Sequence, residues 1–353
     1  MTLEQVCGPF LVLLFLTDIF LTVLYARAGT GLLAPYWNRA VWALLRGIAR
    51  MTPRHRERVL SLAGPLIVIS MVGFWALGLT IGTALIVRPE LGTSIRPSSG
   101  GTPTDFVTAM VVAGNSLSIV GSGDYSPHTT GTRLLYLVNS LIGASVLSLV
   151  LSYLVQVYAA LRERNALALM VDLMSGRTGN AAEMLVRIMP GGESGNAESE
   201  LGNLARSLAA TKEAHHFYPL LFYFRFREPM YSVSRLSFVL LDLTTLINVV
   251  LDRQQYAALV NSAANTALHQ GAYLLLETLD RSFPTSGTRS AAPSEIEVER
   301  QKGKAAQARL EQAGIRVRED SIDDYAASVL EWKRLVRSVA PTLGYSMDDI
   351  DQR

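Results

Sequence analysis

Between Thr104 and Pro127 the chain reads TDFVTAMVVAGNSLSIVGSGDYSP, and the chemistry of this stretch lies more in its backbone than in its side chains. Gly121 and Gly123 alternate with Val120, Ser122 and Asp124. Glycine accepts the positive φ that lets successive carbonyl oxygens turn toward one side. The apolar stretch before it, Asp105 to Leu117, has the length of a short helix, with Thr104 or Thr102 available as N-cap and Pro103 suited to the first turn. Longer apolar runs lie on both sides, and the stretch itself is too short and too polar at its end to cross a membrane, so it reads as a re-entrant loop. Non-helical backbone at membrane depth persists only where protein buries it or where it lines a watery cavity.

The run Ile119-Val120-Gly121-Ser122-Gly123-Asp124, followed by Pro127, Thr129, Gly131 and Arg133, resembles the filter and outer mouth of potassium channels, whose filter reads T-V-G-Y-G-D. The form is that of the two-span pore-loop module of the bacterial type. In that family four such loops line one pore, and their carbonyls take over the ion's hydration shell. The resemblance implies ion contacts at Ser118, Ile119, Val120, Gly121, Ser122, Gly123 and Asp124, with K+ as the permeant ion and Asp124 as the charge at the external mouth. Two departures fall where selectivity is set. Ile119 stands where the family has a threonine whose hydroxyl completes the innermost site, unless Ser118 substitutes, and Ser122 replaces the filter aromatic. The pore-helix stretch also has no Trp to brace the filter.

The elements that must hold this loop are apolar. Of the 353 residues 49% are hydrophobic and 18% are charged, below the roughly 25% of ordinary globular chains. The apolar residues crowd the first 160 positions, ahead of a more polar remainder. One cysteine, Cys7, leaves no intrachain disulfide and no Cys-rich metal site.

Pro9 to Ala26 is long enough to span a bilayer, lacks the basic start of a signal peptide, and carries Asp18 at its centre. An ionised carboxylate there faces protein or water, so Asp18 either partners a neighbouring helix or sits protonated. Arginines 27, 39, 46, 50, 54, 56 and 58 then meet only one acid, Glu57. This excess places the segment in the cytoplasm and the N-terminus outside. Within it Trp37, Val41, Leu44, Leu45 and Ile48 recur at helical spacing, with Arg39, Arg46 and Arg50 on another side. The helix lies either in the membrane interface or against the cytosolic domain. Ser61 to Val87 is a second span, 88 to 103 a polar loop, and Thr132 to Leu161 a third span that resembles the family's inner helix. Gly143 lies at the position of that family's hinge glycine, and with Ala144 and Ser145 it equally suits close helix packing. Asn139 and Ser140 are polar positions that can face the cavity.

The inner helix reads on into the cytosol as far as Gly176, and helical patterns follow at 181–189, 198–214, 233–252 and 254–283. Leu236 to Leu251 is short for a span and holds Asp242, so it reads as a buried core helix. No G-x-G-x-x-G follows a strand pattern, and His215-His216 has no metal-ligand partner nearby. The aromatic piece His216 to Phe224 reads as core or an intersubunit contact. Residues 284–294 are linker-like, and two charged helices follow, with Ser294/Glu297 and Ser321/Asp324 as capping-box starts. No catalytic constellation and no basic, aromatic-interleaved face for nucleic acid emerges.

These readings give an all-α membrane protein: an additional N-terminal span, then span, re-entrant pore loop and span, then an all-helical cytosolic domain. The divisions are 1–60, a pore module at 61–162, a helical domain at 163–284 and a charged tail at 285–353. The expected function is a homotetrameric, potassium-channel-like channel in the cell membrane with no cofactor. Its partners are other copies of itself and the lipid bilayer, and any regulatory ligand of the cytosolic domain is unknown. The alternatives are a weakly selective cation channel and a non-conducting receptor or scaffold that keeps the pore fold.

Overall fold

The computed structural model describes residues 3–25, 31–118, 121, 124–282 and 293–353. Among these the chain is helical apart from one pair of short strands, and it divides into two compact units. The first comprises 1–47 with 65–158, the second 48–64 with 159–353. The division departs from the sequence reading, because 48–64 belongs with the C-terminal helices and 163–353 is one body.

In the first unit α1 (Leu3–Ile19) runs through Pro9 and continues as a π-helical turn, Phe20–Leu24. It lies antiparallel to α4 (Ala63–Val87), a helix without a charged residue. Small residues set their separation. Gly8 lies against Ile86 and the Gly82 backbone, and the Phe15 ring covers Gly78, so the helices approach where side chains are absent. Between them α2 (Ala34–Met51) begins, its Trp37 stacked on Phe74 with ring centroids 4.3 Å apart. After α4 come β1 (Ile95–Pro97), α5 (Phe106–Leu117), β2 (Tyr125–Pro127) and α6 (Thr130–Met174). The strands pair antiparallel, Ile95 with Pro127 and Pro97 with Tyr125, inside a region that the sequence presents only as a loop. α6 continues past Leu161 as one helix to Met174, in keeping with the sequence pattern.

The second unit contains α3 (Arg56–Ser61), α7 (Ala181–Ile188), α8 (Ala197–Phe217), α9 (Val233–Thr245), α10 (Ala257–Val260), α11 (Ala263–Ser282), α12 (Pro293–Gln312), α13 (Ile322–Val339) and α14 (Met347–Ile350). α9 is its axis. All thirteen of its residues are buried, which accounts for a hydropathy high enough to mimic a span. Around it pack α7, α11 and α13, and α8, whose Leu201, Leu204, Leu208, Thr211 and His215 are buried at spacings of three and four, pairs with α11. Phe238 of α9 meets Trp332 of α13 edge-on at 5.1 Å.

Helix starts differ from the sequence reading in three places. Asp105, not Thr104 or Thr102, caps α5, because its carboxylate reaches both the N–H and the hydroxyl of Thr108. Ser321 stands at the start of α13 without capping it, its hydroxyl donating back to the Arg318 carbonyl, and Ser294 lies inside α12. The reciprocal capping box occurs at Ser346 and Asp349 instead.

Candidate functional site

The pore-loop helix α5 is held on the side that carries its small residues. Ala109, Val112 and Ala113 are buried with Ala84 and Val87 of α4 and with Leu91 and Ile95, and Tyr125, Leu135 and Tyr136 pack against this cluster. Spacings of three and four put these positions on one face, so sequence and framing agree.

The C-terminal end of α5 is fixed to α6. Asn139 is buried and its amide donates to Ser116 Oγ at 3.1 Å, while that hydroxyl donates to the Ala113 carbonyl at 2.9 Å. Asn139 therefore does not face a cavity, and Ser140 beside it is exposed. One turn on, Gly143 passes so close to the end of α5 that any Cβ at this position would overlap the Leu117 carbonyl oxygen. This contact gives the glycine a packing duty.

At Ser118 the helix stops. Its N–H still donates to the Gly114 carbonyl at 2.9 Å, but its ψ of 150° has already turned the chain extended. Gly121 has φ +74°, the left-handed region that a glycine enters without strain. Asp124 is exposed at a bend before β2. Ile119, Val120, Ser122 and Gly123 lie outside the described residues.

The segment after Asp124 is tied down. Beyond the strand pair, His128 N–H donates to the Ser94 carbonyl at 2.8 Å, and Thr129 and Thr132 exchange hydrogen bonds at the start of α6. Arg88 at the end of α4 pairs with Glu4 of α1 at 2.5 Å. The beginning of the chain thus sits beside the end of α4 from which the loop leaves.

Asp18 acts through partners. Fully buried, its carboxylate accepts from Trp75 Nε1 at 2.7 Å and from the backbone N–H groups of Leu33 and Ala34 at 2.7 and 3.2 Å. The last two open α2, so one carboxylate joins α1, α4 and the helix N-terminus where negative charge is favoured. Proximity in sequence gave no sign of the Trp75 contact, 57 positions away.

In the second unit the distal part of α6 is gripped by a loop. Arg164 is 2% exposed and donates to the carbonyls of Leu221 and Phe224 at 2.9 and 3.0 Å, with its guanidinium 5.7 Å from the Phe226 ring centre. The same loop holds the segment before α4. Gly64 lies on the Phe224 ring, and Arg225 is 3.9 Å from Glu57. Both Arg225 and Arg56 donate to the Gly344 carbonyl, at 3.4 and 3.1 Å, and Leu60 touches Gly344. The piece read as core or an intersubunit contact is this clasp.

His215 is buried against Phe222 with Nδ1 2.8 Å from the Thr211 carbonyl. Burial first, then the nearby Arg164 charge, push it down to about 3 against the effect of that hydrogen bond, so it is neutral and Nδ1 carries the proton. Elsewhere Arg353 pairs with Asp242 at 2.9 Å and with Glu299 at 2.8 Å, and Lys333 pairs with Glu299 at 2.6 Å. Burial pushes the Asp242 carboxyl up despite Arg353, while at Asp351 burial is outweighed by Arg353, Lys302 and Lys333, which hold its carboxyl far below the usual range. Among the described residues no group of three His, Cys, Asp or Glu side chains is gathered as a metal site.

Residues 67–160 match a family model described as an ion channel. No curated protein and no solved structure matches the chain. The matched stretch contains nearly all of α4, the whole of α5 and the membrane part of α6, the elements that frame the loop. The fold fits an all-α membrane channel module followed by a helical C-terminal domain, and residues 67–160 are similar to an ion channel family.

Proposed function

We propose that the chain forms a homotetrameric, potassium-channel-like pore that passes monovalent cations through carbonyls of Ser118 to Gly123, with Asp124 at the external mouth. One observation carries this reading: a short helix packed between two long apolar helices ends in an extended residue and a positive-φ glycine, inside the stretch that matches an ion channel family. A single chain carries one G-x-G-D, and a closed pore of this kind takes four copies. The topology has the N-terminus and filter mouth outside the cell membrane and the helical domain in the cytoplasm. Support comes from the arginine excess of residues 27–58 and from the pairing of Glu4 with Arg88.

The pore is weakly selective. Ile119 supplies no hydroxyl to the innermost site, a loss repeated in four subunits, and Ser122 leaves the neighbouring carbonyls without an aromatic support. The hinge reading of Gly143 rests on the resemblance alone, whereas its contact with Leu117 supports packing.

The test is rubidium and sodium flux through purified protein in liposomes, with the protein's mass measured in gentle detergent. Cation flux from a tetramer, with a potassium preference that rises in I119T/S122Y, is the expected result. Tetramers without cation flux would favour a receptor that keeps the pore fold, and a monomer would remove the pore's geometry.

A further inference from the structure

In the second unit the end of α6, the last turn of α7 and the start of α8 border a groove of about 610 Å³, within the size range of sites for small organic molecules. Met170, Leu173 and Met174 of α6 and Ile188 of α7 give it apolar lining. Leu173 is 57% exposed there, and methionines on either side adapt their shape to varied apolar partners. Arg187, Glu193, Asn196 and Glu200 supply its polar lining. An apolar wall with a few polar groups beside it is the usual make-up of a ligand site.

The charges around the groove say what fits it. The Arg187 guanidinium lies over Gly176, just past the end of α6, where the last carbonyls of a helix favour a cation. Glu183, one turn back on α7, lies within its electrostatic reach, so the protein itself answers this charge. The carboxylates of Glu193 and Glu200 make no ion pair among the described residues. Glu200 stands in the first turn of α8, where helix N–H groups favour negative charge, and Asn196 at the N-cap position makes no capping bond with its side chain. The charge left unanswered is therefore negative and lies beside an apolar wall. An anion would meet two carboxylates, and a neutral molecule would leave them to water. A cationic nitrogen carried on an apolar body complements both.

We infer that this groove binds a small organic cation, an amine or guanidine on an apolar body, with the body against Met170, Leu173 and Met174 and the cation at Glu193 and Glu200. Such a ligand ties the end of α6 to the joint between α7 and α8. The inference stands on the second unit and needs no conduction. Its test uses the full chain in lipid nanodiscs and three probes that share one body: 4-phenylbutylamine, 4-phenylbutanol and 4-phenylbutyrate. Hydrogen exchange at 170–175 and 188–200 should slow several-fold with the amine at millimolar concentration, and much less with the alcohol or the carboxylate. E193Q/E200Q should remove the amine's advantage over the alcohol. A Cβ at Gly195, which also lines the groove, would have no contact within 4 Å beyond its chain neighbours, so the fold accepts G195W, whose ring should block the amine's effect. Equal slowing by all three probes would overturn the charge assignment, and an effect of the amine that persists in G195W would overturn the site. No response to any probe would mean that a protein surface fills the groove, and would also overturn the ligand site.

Discussion

Two buried residues decide how the individual positions behave. Asp18 would be costly within a span if it stood alone, and three N–H donors offset that cost. Leucine at this position keeps the bulk and leaves all three donors unpaired, so D18L should lower stability by about 3 kcal/mol, since each orphaned buried donor costs about 1–3 kcal/mol and the helix start can still reach water. D18N keeps one acceptor oxygen and should cost less than half as much. Thermal unfolding in detergent reads both, and equal losses in the two variants would show that charge, not acceptor count, matters. His215 yields a pH prediction. Unfolded, a histidine takes a proton near 6.5, while the folded one stays neutral to about 3. Between these values the unfolded state binds more protons, so stability is unaffected above pH 6.5 and falls as pH drops through the window, by at most about 1.4 kcal/mol per unit. H215N, whose amide can still donate to the Thr211 carbonyl, should flatten the dependence of unfolding on pH between 6.5 and 4. A parent and variant with parallel pH curves would rule out His215 as the source.

Among the elements, α5 and its frame were the most legible. A short helix between two long apolar runs is a local pattern, and the small-residue face of Ala109 and Ala113 is written at helical spacing. What was missed is non-local or very short. The strand pair joins Ile95 to Pro127 across the whole pore loop, and three-residue strands leave no alternation to count. The Thr104 and Thr102 caps lost to Asp105 because a carboxylate one position closer could bind Thr108 twice. The capping box at Ser346 opens a helix of only four residues, too brief for a periodic signal. Segment 48–64 was grouped with the first span because nothing near it in sequence names its partner, Gly344, 288 positions from Arg56. At the proposed filter, Ile119 and Ser122 depart from the resembled motif in the sequence itself, and Ile119, Val120, Ser122 and Gly123 lie outside the described residues. The close approach of α6 to α5 gives a prediction at this scale. G143A places a methyl against the Leu117 carbonyl, so the end of α5 must move, and with it Ser118, where the proposed filter begins. Rubidium flux should fall at least tenfold while the oligomer's mass stays the same. Unchanged flux in G143A would remove the packing duty.

For the whole molecule, the telling fact is that the second compact unit includes residues 48–64 as well as 159–353, so the pore module enters and leaves through chain that belongs to it. Loop Pro219 to Arg227 touches both of these flanking segments: Arg164 donates to its Leu221 and Phe224 carbonyls, Gly64 packs on its Phe224, and Glu57 lies near its Arg225. Any displacement of this loop pulls on the base of α6 and on the segment before α4 together. R164M keeps an apolar stem of similar reach but leaves the buried Phe224 carbonyl without a donor and the Leu221 carbonyl with only the Phe224 N–H, a loss of about 1–3 kcal/mol, the cost of one unsatisfied buried group. R164K keeps the charge, yet a single ammonium cannot reproduce the planar fork that spans the two carbonyls, so it should recover only part of the loss. Hydrogen exchange of the intact protein separates a local role from a shared one. If the loop ties the two segments, R164M should speed exchange not only at 219–226 but also at Arg56 to Ser61, which Arg164 does not touch. In the conducting protein the same variant should change the rate of rubidium flux and leave the potassium-to-sodium ratio as it was, because the filter is untouched. Faster exchange confined to 219–226, with flux unaltered, would reduce Arg164 to a packing residue of the helical domain.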